Sequence, residues 1–352
     1  MKAIYFNTHG GADVLEYGDL PDPSPAGNEV LIDVAAASLN HLDIFVRRGI
    51  PGLTIDYPHI PGSDASGVVA GLGDQVTDFA QGDRVLINPS LSCGLCDYCI
   101  RGDASMCRVY RIMGESTGGT CCEKIVVPRE NIIKIPEHIS FEAAAAVPLV
   151  FLTAWRMLIN RGSLRPGEHI LILGAASGVG TACIQIAKKT GAYVYATASS
   201  EDKLALCRRL GADILINYVE EDFVKRVRSE TGNRGVDVCV DYVGHDTWVK
   251  SLKSLASGGR LLTCGATTGY APQTDLRHIF FRQLQIIGST MGSKNDLLAP
   301  LQMLFRGEME AVIDSVVDLK DTAAAHRLME DRNVSGKIVI RMPRRRPGQR
   351  AG

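Results

Sequence analysis

The rhythm of apolar and polar positions changes along this 352-residue chain. Up to about residue 135, short apolar or alternating runs are separated by Gly, Pro and Asp. Residues 2–6, 29–35, 67–70, 84–87 and 124–127 thus predict strands of a β-rich domain, with one short helix over 39–48. From about residue 168 strand and helix patterns alternate. Strands are predicted over 170–173, 193–198, 214–217, 236–242, 260–264 and 285–289, and helices over 179–189, 201–210, 220–230 and 247–257. Six strands joined by crossover helices imply a doubly wound parallel sheet, an α/β architecture. The last stretch, with helices near 297–306 and 322–332 and a strand over 337–341, is expected to return to the first domain. Residues 141–158, rich in Ala and interrupted by Pro148, are expected to be the helical crossing between the two.

The second region is organised around one turn. The apolar run Ile170–Leu173 leads into Gly174, Ala175, Ala176, Ser177, Gly178 and Gly180, and then into a helical pattern ending at Gly191. Strand, glycine-rich turn and helix is the arrangement in which backbone N–H groups and a helix N-terminus receive a pyrophosphate.

Composition narrows the class. Lys and Arg number 38 against 39 Asp and Glu, a net charge of −1, which argues against nucleic acid or an anionic membrane as the main partner. No apolar run is long enough to cross a membrane and no signal peptide opens the chain. Ten cysteines then read as thiols or metal ligands of a cytoplasmic protein rather than as disulfides. The basic tail from Arg341 to Arg350 is expected to be a frayed, solvated end.

Cys93-x-x-Cys96-x-x-Cys99, seven residues, then Cys107 places four thiols within 15 positions. Four thiolates close a tetrahedral shell that suits zinc and leaves no open position for chemistry, so the site is expected to be structural. A redox reading is poor, because no thioredoxin-like strand precedes the pair Cys96 and Cys99. Cys121, Cys122, Cys183, Cys207, Cys239 and Cys264 fall in apolar patterns and are expected to be small buried hydrophobes.

This four-cysteine lobe in a β-rich domain, followed by the Gly-Ala-Ala-Ser-Gly-Val-Gly turn, resembles the medium-chain dehydrogenase/reductase superfamily. The resemblance extends to Pro61-Gly-Ser-Asp-Ala-Ser-Gly-Val-Val69, Gly82-Asp-Arg-Val85, Gly118 and Gly119 with Glu123, Pro148 to Trp155, and Gly336-Lys-Ile-Val339. It implies a GroES-like catalytic domain over 1–153 and 291–352, with the zinc lobe at 91–110. A Rossmann domain binding NADP(H) would span 154–290. In zinc alcohol dehydrogenases of this superfamily the catalytic metal is held at positions matched here by Asn40, Ser63 and about Leu149. None is a good zinc ligand, and Leu42 replaces the hydroxyl that relays the proton, so no catalytic zinc is expected. Asn40, Asp43 and the Pro-Gly-x-Asp pattern instead resemble the quinone oxidoreductase branch, whose members reduce quinones or activated C=C bonds with NADPH. Most of that branch lack the zinc lobe that this chain keeps.

The resemblance also implies roles. Ser177, Gly178, Val179 and Gly180 would lie under the pyrophosphate, Thr153 against the nicotinamide, and Gly244, Gly265 and Ala266 along the cofactor groove. His41 falls among the cofactor contacts, and Lys337 would reach a cofactor phosphate. At the end of the second strand Ala198 stands where an acid would read the ribose. Ser199, Ser200 and Lys203 follow, and Tyr218 ends the third strand; together they favour NADPH. Lys203 has the alternative of merely decorating an exposed helix. Asn40, Asp43 and Asp64 would line the active-site floor or, alternatively, serve only as structural hydrogen-bonding groups. Carbonyl polarisation would fall to the Asn40 amide or a backbone N–H, and the proton would come from solvent or Tyr57. An alcohol or carbonyl dehydrogenase is the second enzymatic reading, and a non-catalytic crystallin-like relative the third. A small-molecule substrate and a homodimer paired through the last sheet strand complete the expectation.

Overall fold

The computed structural model describes residues 1–343; residues 344–350 of the basic tail lie outside it. The chain forms two compact units, Met1–Leu149 with the stretch from Met303 onward, and Val150–Gln302.

The first unit is built on a seven-stranded sheet. Its order is Ile313–Asp318, Lys337–Arg341, Glu29–Ser38, Asp64–Leu72, Arg84–Ile87 and Ile132–Lys134, with Lys124–Pro128 also paired to Glu29–Ser38. The central strand Glu29–Ser38 alternates, burying Val30, Ile32, Val34 and Ala36. That period of two is what makes a strand covered on one face. Its neighbour crosses it so closely that a Cβ on Gly67 would lie 2.1 Å from the Asp33 carbonyl oxygen. The short helix His41–Arg48 follows and stops at Gly49, whose φ of 95° suits glycine.

The second unit carries six parallel strands: His169–Ile172, Tyr193–Ala198, Ile214–Asn217, Val236–Val240, Leu255–Thr263 and Gln285–Gly288. Their spatial order is third, second, first, fourth, fifth, sixth, the order of the dinucleotide-binding fold, in agreement with the expected Rossmann sheet. Tyr195, Ile216, Cys239, Leu252 and Leu261 are among the side chains of its core.

Several boundaries differ from the sequence pattern for identifiable reasons. Asp222 accepts hydrogen bonds from the N–H groups of Val224 and Lys225, so the helix begins at Phe223 rather than at residue 220. The helix expected to reach residue 257 ends at Ser254, and the strand begins at Leu255 and runs through Gly258 and Gly259. The crossing divides into Phe141–Ala145, Pro148–Trp155 and a π-helical turn over Arg156–Arg161. Pro148 sits at the first position of its helix, where its missing N–H has no intrahelical partner to lose. Residues 291–302, assigned by pattern to the first domain, pack in the second unit. The cause is Asp296, buried and bonded there by Asn160, with Arg156 3.7 Å away. Of the six scattered cysteines five are buried, while Cys264 is partly exposed.

Candidate functional site

The four cysteines of the lobe converge. Cys93 Sγ lies 3.9 Å from Cys99 Sγ and 3.5 Å from Cys107 Sγ, and Cys96 Sγ is 3.6 Å from Cys99 Sγ. A tetrahedron with Zn–S bonds of about 2.3 Å has S···S edges of about 3.8 Å, so the spacing and the all-sulfur donor set fit zinc. Backbone N–H groups of Cys93 and Cys96 point at Cys107 and Cys93 sulfurs, which favours thiolates. Among the described residues this is the one group of three or more His, Cys, Asp or Glu side chains gathered within 4.8 Å.

A second constellation in the same unit joins Asn40, Asp43, Asp64 and Lys337. Asn40 caps the helix His41–Arg48, and its backbone N–H donates to Asp43 Oδ2 at 2.7 Å. Asp43 Oδ1 accepts from Gly62 N at 3.0 Å, pinning the loop Pro61–Asp64 to the helix. Asn40 Nδ2 donates to Asp64 Oδ2 at 2.9 Å, while Lys337 Nζ donates to Asn40 Oδ1 and, at 3.2 Å, to Asp64 Oδ2. Leu149 N and Ser38 Oγ complete the shell of Asp64 at 2.8 and 3.3 Å. All four side chains are buried, from 0% exposed at Asp64 to 5% at Asn40. Burial pushes the Asp43 carboxyl up to about 6 and the Lys337 ammonium down from its usual range.

The Lys337 ammonium, expected to reach a cofactor phosphate, points inward to Asn40 and Asp64. Ser63 and Leu149, which the resemblance matches to metal-ligand positions of zinc enzymes, are buried; Ser63 Oγ has no hydrogen-bond partner among the described residues, and the Leu149 backbone N–H donates to Asp64. Tyr57 is 44% exposed and packs edge-on against Phe6 and His9, while His41 is exposed. At the other end of the helix, Arg47 is wholly buried and donates to Gly10 O and His326, and it pairs with Glu330. Burial and the adjacent Arg47 charge hold His326 down to about 3, so a neutral ring accepts that bond. No local pattern marks this arginine, because His326 and Glu330 lie far along the chain.

In the second unit the glycine turn has the expected form. Ser177 caps the helix Gly178–Thr190, accepting from Gly180 N, and a Cβ on Gly180 would come within 2.6 Å of the Gly174 and Ala175 carbonyls. The first-turn N–H groups of Gly178 and Val179 have no acceptor within a helix and are the natural partners of an anion. Sequence reasoning missed the clamp on this turn. Tyr242 donates its hydroxyl to Gly174 O and shares a 3.0 Å bond with Ser177 Oγ. Asp241, buried beside it, accepts from Val243 N, Gly244 N, Thr247 Oγ1 and Ser251 Oγ. The available signal was position: both residues follow the fourth strand at its carboxyl end, where ligands bind in this fold.

The remaining cofactor candidates fall in two groups. Gly244, at φ 91°, lies against Ala266, and Gly265 follows the fifth strand in the adjacent loop. Ala198 pairs with Asn217, which brings Ser199, Ser200 and Tyr218 to one sheet corner. Ser200 caps the helix Glu201–Arg209 by accepting from Lys203 N, and Tyr218 is 45% exposed. Thr153 is buried, with its hydroxyl 3.9 Å from Met291 Sδ.

Comparison with known proteins adds to this geometry. Residues 26–137 match the family model of the alcohol dehydrogenase GroES-like domain, and residues 178–306 that of the zinc-binding dehydrogenase. The acryloyl-coenzyme A reductase of Metallosphaera sedula is 29% identical over 97% of this chain and 99% of its own. The quinone oxidoreductase of Homo sapiens is 27% identical over 97% of each chain. A solved structure of an NAD-dependent alcohol dehydrogenase shares 45% identity, with a TM-score of 0.94 over 97% of this chain and 100% of that one.

Proposed function

Because the chain belongs to the medium-chain dehydrogenase/reductase superfamily, we propose that it is a reductase that delivers hydride from NADPH to an activated C=C bond or a quinone, with no metal at the reacting centre. One observation carries this reading. Where zinc enzymes of the superfamily place ligands, this chain has Asn40, Ser63 and about Leu149, and buried hydrogen bonds join Asn40, Asp64 and Lys337 there. The kinship with acryloyl-coenzyme A reductase and quinone oxidoreductase supports the same reaction class.

The bound nicotinamide supplies the hydride. In the second unit, Gly178 and Val179 would hold its pyrophosphate, Tyr242 keeps the turn in shape, and Thr153, Gly244, Gly265 and Ala266 would bound the groove. In the first unit the remaining Asn40 Nδ2 hydrogen is the donor for a substrate carbonyl oxygen, stabilising the enolate that forms as hydride reaches the β-carbon. The α-carbon then takes a proton from solvent. Tyr57, exposed and edge-packed, is retained as a substrate contact rather than as the acid.

Ala198, Ser199, Ser200, Lys203 and Tyr218 support NADPH over NADH, and the NAD-dependent relative makes NADH the comparison to run. The unpaired edge of Gln285–Gly288, with Ile286 exposed, supports a homodimer formed by strand pairing. The lobe supports one structural zinc per chain, and its thiolates a reducing, cytoplasmic setting. The test follows oxidation of NADPH and NADH with quinones, enones and acryloyl or crotonyl thioesters, beside aldehydes and alcohols. Turnover of the first three groups with NADPH is expected. Turnover confined to alcohols and aldehydes would favour the dehydrogenase alternative.

A further inference from the structure

We propose that Lys337 is a positioning residue for this reduction, fixing the Asn40 amide as the donor to the reacting oxygen. The inference rests on the hydride-transfer reading above. An ammonium only donates and a carboxylate only accepts. With Lys337 Nζ on one side and Asp64 Oδ2 on the other, the Asn40 oxygen must face the lysine and its NH2 the aspartate, as observed. One Nδ2 hydrogen is thereby held by Asp64 and the second is left as a fixed donor.

Burial makes this orientation strict. Lys337 is 4% exposed and Asp64 0%, so neither finds solvent in place of the other, while Asn40 at 5% just reaches the surface. Asp64 is tied independently by Leu149 N and Ser38 Oγ. Loss of the lysine would therefore leave the carboxylate in place, still accepting from Asn40 Nδ2, and take away the one donor that holds the amide oxygen, so that the amide plane can tilt about its single remaining bond.

Lys337→Met alone would leave a buried carboxylate unpaired and is expected to unfold readily. The deciding variants are therefore the neutral pair Asp64→Asn with Lys337→Met, together with Lys337→Gln and Lys337→Arg. In the neutral pair and in Lys337→Gln, kcat for the enone or quinone is expected to fall about 100-fold, the scale of losing an oriented oxyanion donor. The KM for NADPH should stay within twofold, and Lys337→Arg should recover at least a tenth of wild-type kcat. A folded neutral pair or Lys337→Gln with wild-type kcat would overturn the inference while leaving the function intact. A raised NADPH KM at constant kcat would overturn it in favour of a phosphate contact. Wild-type enzyme inactive on every quinone, enone and enoyl thioester would overturn the functional reading, and this inference with it.

Discussion

Asp43 shows how burial changes an ordinary carboxylate. Its pKa of about 6 in the fold, against the 3.8 usual for an aspartate, means that the native state holds its proton longer than the unfolded chain does. Stability from this group is therefore full below about pH 4 and is lost as pH rises through about 6, by about 3 kcal/mol in all. Asparagine does not titrate, so in urea unfolding wild type should gain on Asp43→Asn by about 2.4 kcal/mol between pH 7 and pH 4. An unchanged difference would place the titration elsewhere. At this scale the sequence identified Asn40, Asp43 and Asp64 as a group and left open whether they act on substrate or only on one another. It did not foresee the contact of Lys337 with Asn40, because the partner of a lysine 297 positions away is settled by strand pairing and has no local signature.

Elements were the most legible level. The turn Gly174–Gly180 follows from a buried strand, small residues and an amphipathic helix, all local features. Helix starts and stops shifted where an unrecognised cap intervened, as at Asp222. The close crossing at Gly67 was not readable, since a glycine in a strand pattern marks close approach without naming the neighbour. Gly67→Ala should drive its methyl into the Asp33 carbonyl and destabilise the first unit by about 3 kcal/mol, the upper range for overpacking. Thermal melting checks this, and a variant within 0.5 kcal/mol of wild type, roughly the range of a neutral surface change, would show that the two strands can separate there at little cost.

At the scale of the whole molecule the lobe is the part most dependent on something other than packing. Leu95 and Ile100 are exposed, and the lobe's helix Asp97–Ile100 has no buried residue. Its order should therefore rest on metal. Protein purified without added zinc is expected to hold one zinc per chain by atomic emission. Chelation or Cys93→Ser should expose the lobe to proteolysis while leaving the six-stranded sheet folded. Two zincs per chain would point to a metal-dependent dehydrogenase instead. No helix among the described residues is long and apolar enough to cross a membrane.

The amino-acid sequence by itself determined the six strands of the parallel sheet, the glycine turn and the four-sulfur lobe. Each depends on residue type at short spacing, which the chain carries whatever its fold. The tertiary structure alone decided that Lys337 faces Asn40 and Asp64, that Tyr242 clamps the turn, that Arg47 is buried against His326, and that residues 291–302 pack in the second unit through Asp296. Those facts join positions far apart in the chain. A buried charge is stable only where the fold brings it a partner, so its role becomes readable only when that partner is known.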